Sequence, residues 1–167
     1  FCQEYRPSNS GRASQIRKCY PMNSVNKKFR RIYIDTNVLI GYFRNVKADV
    51  LAMEYMFKLH DYELYTSTLA ISQTISTLQG KRKDKAYRQQ IIEFIKRLTH
   101  KVKLIGFASG DIDEALAMDN VDLEDNIQFI LGQKMSCYTY VTNNIKDFRY
   151  NTVAVVEPAY IRSITSI

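Results

Sequence analysis

Cysteine is scarce in this chain of 167 residues: Cys2, Cys19 and Cys137 are all it has. The count is odd and no pair stands in a CxxC spacing, which argues against both a disulfide framework and a zinc knuckle. Cys137, just ahead of an apolar strand, reads as a small buried residue, and a reducing cytoplasm is the expected location. Histidine is rarer still. His60 and His100 fall at helix ends on either side of the middle of the chain, so a histidine-based acid–base mechanism has little support. No apolar run approaches the ~20 residues of a membrane-spanning helix, so no membrane partner is expected. The N-terminal stretch lacks the apolar segment of a secretory signal. With 46% apolar residues, the composition is that of a folded domain, and the length suits a single core.

The charge is unevenly placed. The formal net charge is +7, and residues 1–31 account for all of it: Arg6, Arg12, Arg17, Lys18, Lys27, Lys28, Arg30 and Arg31 stand against Glu4 alone. The rest of the chain is balanced. The basic excess therefore describes an arm (residues 1–30) and not the domain from 31 to 167. Residues 1–21 lack apolar periodicity and are rich in Ser, Arg and Pro. Met22 is read as the biological start, with 1–21 an upstream or appended extension.

The domain alternates strands and helices. Arg31–Asp35 is a near-continuous apolar and β-branched run, as in a central parallel strand. Val38, Leu39, Tyr42 and Phe43 follow at helical spacing. Residues 48–60 predict a helix with Val50, Met53 and Phe57 on one stripe. A short strand at Glu63–Thr66 leads, through a cap at Ser67 or Thr68, into a helix that Gly80 ends. Residues 86–98 are amphipathic, Val102–Ile105 a strand and 109–118 a helix. Asp122–Met135 is helical, with Ile127, Ile130, Leu131 and Met135 on its apolar side. Tyr138–Thr142 and Thr152–Val156 are the last strands. Such alternation predicts an α/β fold: a three-layer α/β/α sandwich around a central parallel sheet.

In open parallel sheets ligands collect at the carboxyl ends of the strands. Asp35 ends the first strand. Gln73 lies in the helix after the second. Asp122 and Asp125 open the penultimate helix, and Thr142, Asn143 and Asn144 close the next strand, with Asp147 beyond. Clustered carboxylates repel one another unless a cation intervenes. Oxygen-only ligands suit Mg²⁺ or Mn²⁺, which take few carboxylates and keep several waters. Such an ion activates water and steadies the charge on a phosphodiester under attack.

Three segments carry a resemblance. Ile34-Asp35-Thr36-Asn37-Val38-Leu39 resembles the opening motif of PIN domains. Asp122-Leu123-Glu124-Asp125-Asn126-Ile127-Gln128-Phe129 and Val141-Thr142-Asn143-Asn144-Ile145-Lys146-Asp147-Phe148 resemble that family's closing pair. Val155-Val156-Glu157-Pro158 is similar to its usual ending, so the resemblance spans roughly 31–164. The long closing motifs are fairly specific; the opening one alone is weak. The resemblance implies a Mg²⁺- or Mn²⁺-dependent endoribonuclease, often the toxin of a VapBC-type toxin–antitoxin pair. It makes Asp35 and Asp125 metal ligands and Asp122 a nearby catalytic acid. Asn144 becomes the fourth polar group; Asp147, Gln73 and Thr142 are supporting residues. An antitoxin protein, RNA and a second copy of the chain are the implied partners. The sequence also departs from the pattern. Gln73 stands where many members have Glu, Asn126 replaces the usual Ala, Asn143 a frequent Arg, and Asn144 is neutral where some members have Asp.

Simpler roles exist for the same residues. Asp35 and Asp122 suit helix caps, and Asp147 suits a turn. Lys81, Arg82 and Lys83 belong either to a solvated connection or to a patch that contacts RNA phosphates. Two other functions compete with the nuclease. One is a catalytically degenerate PIN-like module that binds RNA or protein, which Gln73 and Asn144 motivate. The other is an aspartate-nucleophile phosphatase, disfavoured because Asn37 occupies the place of its second Asp.

Overall fold

The structure, a computed structural model, describes residues 30–119, 122–146 and 152–165. The basic arm up to residue 29, Met22 and Asp147 lie outside the described residues. Five strands make one sheet: β1 (Arg30–Ile34), β2 (Tyr62–Ser67), β3 (Lys103–Ile105), β4 (Thr139–Val141) and β5 (Ala154–Val156). Their order is β3-β2-β1-β4-β5, with every pairing parallel. The helices are α1 (Thr36–Phe43), α2 (Lys47–Met56), α3 (Thr68–Gln79), α4 (Lys85–Thr99), α5 (Ser109–Leu116), α6 (Leu123–Lys134) and α7 (Ile161–Thr165). A 3₁₀ turn at Pro158–Tyr160 precedes α7. The sandwich expected from the alternation is what forms.

The chain runs outward from β1 through β2 to β3, then returns to add β4 and β5 on the other side of β1. The winding thus reverses between β1 and β4, and their carboxyl ends mark the place where open parallel sheets form a ligand crevice. Strand alternation assigns the two faces. Ile32 and Ile34 join Leu64 and Val141 on the face covered by α1, α2, α3, α4 and α7. Tyr33, Tyr65 and Tyr140 occupy the other face, under α5 and α6. These three tyrosines are register neighbours across β2, β1 and β4. The Tyr33 and Tyr140 rings sit 5.2 Å apart.

The helix limits follow from local chemistry. Ser67 caps α3 by accepting the Ala70 N–H at 2.9 Å, and Gly80 ends it with a φ of 48°, where a side chain would be strained. The helix expected over 48–60 is shorter, stopping at Met56 with Phe57 as its cap. Its buried stripe is also different: Asp49, Ala52, Met53 and Met56 face inward, while Val50 and Phe57 are half-buried. The cause is a close approach of α2 to α1 at Gly41, where the Asp49 carboxylate fills the space a Cβ would need.

A second glycine is fixed by packing. A Cβ on Gly132 in α6 would collide with the ring and hydroxyl of Tyr140. Tyr140 has no room to retreat, being 1% exposed and bonded through its hydroxyl to the Phe129 carbonyl at 2.7 Å. Alanine in a helix interior is worth up to about 1 kcal/mol over glycine, whereas overpacking a core costs about 1–3 kcal/mol. Gly132→Ala should therefore lower the urea-derived unfolding free energy by about 1–2 kcal/mol, and an unchanged midpoint would show that Tyr140 repacks freely.

Candidate functional site

Asp35 stands at the carboxyl end of β1, in the crevice between β1 and β4. Its backbone N–H is tied to the Val141 carbonyl at 3.0 Å, which locks it to the end of β4. Only 5% of the residue is exposed. The Thr36 N–H donates to Oδ1 at 2.6 Å. Asn37 Nδ2, at 2.6 Å, and the Thr142 hydroxyl, at 2.7 Å, both donate to Oδ2. The Gln128 side-chain amide is a further hydrogen-bond partner. Burial pushes the Asp35 carboxyl above its usual range, and the hydrogen bonds from Thr142, Thr36, Gln128 and Asn37 only partly oppose this. Asp35 also serves as the N-cap of α1. The observed cap and the candidate site fall on one residue.

The expected supporting residues separate into two groups. Gln73, half-buried on α3, meets the site through Thr36, whose hydroxyl donates to the Gln73 carbonyl oxygen at 2.8 Å. Thr142 lies against Asp35 directly and also accepts the Asn144 backbone N–H at 3.0 Å, so it shapes the turn after β4. Asn144 itself is exposed there. Asp122 is exposed and caps α6, accepting the N–H groups of Glu124 and Asp125 at 3.0 and 3.2 Å. Its observed work is that of a helix cap. Asp125 is half-buried in the first turn of α6. Lys81, Arg82 and Lys83 are exposed in the connection between α3 and α4, well along α3 from Gln73.

Gln128 explains how α6 meets β1. It is 2% exposed and accepts the Tyr33 hydroxyl at 3.3 Å while bonding Asp35 through its amide. Asp125 and Glu124 precede it by three and four residues, so they lie on the same stripe of the helix, one turn closer to its N-terminus. The Glu124 carboxyl is raised by burial, then by the charges of Asp122 and Asp35. The first turn of α6 and the end of β1 therefore share an electrostatic field. Among the described residues no three carboxylate, histidine or cysteine side chains converge into a metal cage. Any ion held there would rest on one or two carboxylates, amide oxygens and water.

Sequence reasoning passes over Gln128, Glu124, Asn37 and Asp49. The first three lie inside the motifs already noted, and helical spacing from Asp125 points to Gln128. Asp49 has no such signal. It is 1% exposed on α2, and its Oδ1 accepts Asn143 Nδ2 at 2.9 Å. The Asn143 N–H in turn donates to Asn37 Oδ1 at 2.9 Å, and Asn37 holds Asp35. One line of hydrogen bonds runs from a buried acid on α2 to the acid on β1.

The winding defines the class of fold: a PIN-like α/β/α sandwich. No family model matches the chain. The chain is similar to ribonuclease VapC1 of Aquifex aeolicus, 24% identical over 123 residues, which cover 68% of this chain and 81% of that protein. A toxin–antitoxin complex from Klebsiella pneumoniae superposes with a TM-score of 0.57 at 20% identity, covering 76% of this chain and 97% of that one. VapC20 of Mycobacterium tuberculosis, described as a sarcin-ricin loop cleaving toxin, gives 0.55 at 13% identity, over 74% and 98%. These likenesses bear out the fold that the motifs implied.

Burial also pushes the Asp49 carboxyl up, with Asn143 opposing. A raised acid binds its proton more tightly in the folded state than in the unfolded one. Its contribution to stability is then present at low pH and is lost as pH rises out of the ordinary carboxylate range. Asp49→Asn removes that loss and keeps an acceptor for Asn143. The stability of the variant relative to the parent should rise between about pH 4 and pH 7, as measured by urea unfolding in EDTA; a difference that falls over that range would reverse the assignment.

Proposed function

We propose that the domain is an endoribonuclease that hydrolyses RNA phosphodiester bonds at the Asp35 crevice, and that it acts as the toxin of a toxin–antitoxin pair. The observation that carries this is the burial of Asp35 at the reversal of the sheet, with the acidic first turn of α6 brought to it through Gln128. The ribonuclease name of the similar Aquifex protein and the cleaving toxin among the similar folds support the same substrate class.

The donor set suits a hard divalent cation. Asp35, Asp125, the Gln73 amide and Asn144 offer oxygen alone, and Asp35, Glu124 and Asp122 repel one another in a partly desolvated crevice. Asp35 and Asp125 would hold Mg²⁺ or Mn²⁺, which supplies an activated water and offsets negative charge on the phosphate. The chain's own residues do the rest. Thr36, Asn37, Thr142 and Gln128 fix the Asp35 carboxylate in one orientation. Asp122 holds the first turn of α6, which sets where Asp125 stands. Gln73, anchored by Thr36, presents an amide where a carboxylate would add charge, so weak metal binding is expected. Asp147 retains the supporting role that the motif implies.

An antitoxin and a second copy of the chain are the proposed protein partners. On α2 the exposed Leu51 stands next to a groove of about 540 Å³ closed by Pro158 and Ile161. That groove is the proposed antitoxin contact. A catalytically silent RNA- or protein-binding module is the second reading. It is favoured by Asp35 having four hydrogen-bond partners from its own chain, about as many as a carboxylate accepts.

Asp35→Asn and Asp125→Asn should each lower Mn²⁺-dependent cleavage of single-stranded RNA by at least about a hundredfold, as loss of a group central to the chemistry does, with circular dichroism unchanged. Wild-type rates in Asp35→Asn would refute the nuclease. Calorimetric titration separates the two readings: heat of Mn²⁺ binding that disappears in Asp35→Asn supports the enzyme, and none at millimolar metal supports the silent module.

A further inference from the structure

We propose that the groove between α1, α3 and α4 is a second binding surface, which takes the phosphate backbone of single-stranded RNA and feeds the strand toward Asp35. It rests on the nuclease reading only for the route of the strand. The groove is open, with a volume of about 1000 Å³. The end of α1, the α3–α4 connection and one side of α4 enclose it. Four cations line it: Arg44, Lys81, Arg82 and Arg97. Among the described residues, none of the four has a carboxylate partner at ion-pair distance. Glu93 is the one acid in the lining, and it is already engaged by Gln89 at 2.9 Å and Lys96 at 3.5 Å.

Four like charges held in one concavity repel, and the repulsion is relieved by a polyanion. The domain outside the arm is otherwise balanced in charge, so this groove concentrates its attraction for phosphate. Aromatic rings back the cations. The Arg82 guanidinium lies 4.6 Å from the centre of the Tyr87 ring, and Phe43 packs edge-on against both Tyr87 and Phe94. A guanidinium settled on a ring keeps its N–H edge for phosphate oxygens. The rings themselves are packed against the core, so they hold the cations in place and the attraction for the strand is that of the cations.

Position argues for RNA over an acidic protein segment. Asp35 caps the start of α1 and Arg44 its end, and eight helical residues span about 12 Å. The Asp35 crevice gathers negative charge and repels phosphate, so a substrate strand needs a cationic foothold outside it. The groove offers one a helix-length away, close enough for one strand to occupy both.

The test is binding of a fluorescein-labelled, unstructured oligoribonucleotide to the full chain in EDTA, followed by anisotropy over a range of salt. Arg44→Glu and the pair Lys81→Glu, Arg82→Glu should each weaken binding by about tenfold or more. The slope of log K against log salt should fall by about 0.7 for each phosphate that the variant no longer neutralises. Lys101→Glu, exposed at the entry to β3, should bind as the parent does, and circular dichroism should be the same for all. Groove variants that bind like the parent would overturn the proposal, since the basic arm would then supply the affinity. Displacement of the RNA by polyglutamate at equal charge would overturn it in favour of an acidic protein segment. The two readings fail separately. A chain that cleaves nothing yet loses RNA binding in the groove variants keeps the groove and loses the nuclease. A chain that cleaves RNA yet binds it unchanged in those variants loses only the groove.

Discussion

A carboxylate removed from water at the point where the sheet reverses direction is the constraint on which the site depends. Asp35 is nearly buried, so its charge is costly unless donors or a cation meet it. The fold supplies donors from three directions: the α1 turn through Thr36 and Asn37, the end of β4 through Thr142, and α6 through Gln128. Moving any of these elements would expose or strand the carboxylate. Their agreement is therefore a condition of folding.

The core and the crevice are joined through the tyrosine row. Tyr33, packed between Tyr65 and Tyr140, turns its hydroxyl to Gln128, and Gln128 turns its amide to Asp35. Tyr140 meanwhile fixes α6 by its bond to the Phe129 carbonyl and its packing against Gly132. The helix that carries Asp125 is thus seated by aromatic packing on one face of the sheet. On the other face, α2 reaches the same crevice through Asp49, Asn143 and Asn37. Both faces of the sandwich set the geometry of a single aspartate.

This division explains what can be read from the sequence. The strands, the order of helices and the motif acids are legible, because alternation and local caps announce them: Ser67 and Gly80 bound α3, and Asp122 opens α6. The stripe of α2 is misread because its period is scored on apolar residues, and the residue that turns inward is Asp49. An acid is buried there because Gly41 leaves room and Asn143 offers a donor, one adjacent on α1 and the other far along the chain. No local pattern encodes that meeting. Gln128 is half legible: its spacing from Asp125 places it, but its bond to Asp35 appears only when β1 and α6 are side by side.

Charge within the domain is arranged against itself to a purpose. Acids gather at the end of β1 and the start of α6, where Glu124 feels both Asp122 and Asp35. Cations that have no acid partner among the described residues gather at the other end of α1. The two signs lie about a helix-length apart, and among the described residues the domain makes no ion pair between them. It makes ion pairs elsewhere, where Glu63 meets both Arg31 and Lys103, and where Asp111 meets Lys134. Among the described residues the pairs lie on the sheet, beside α5 and, as Glu93 with Lys96, within α4, and none includes Arg44, Lys81, Arg82 or Arg97. That separation of charge is what the proposed groove would use to hold a long anionic strand beside the acidic end.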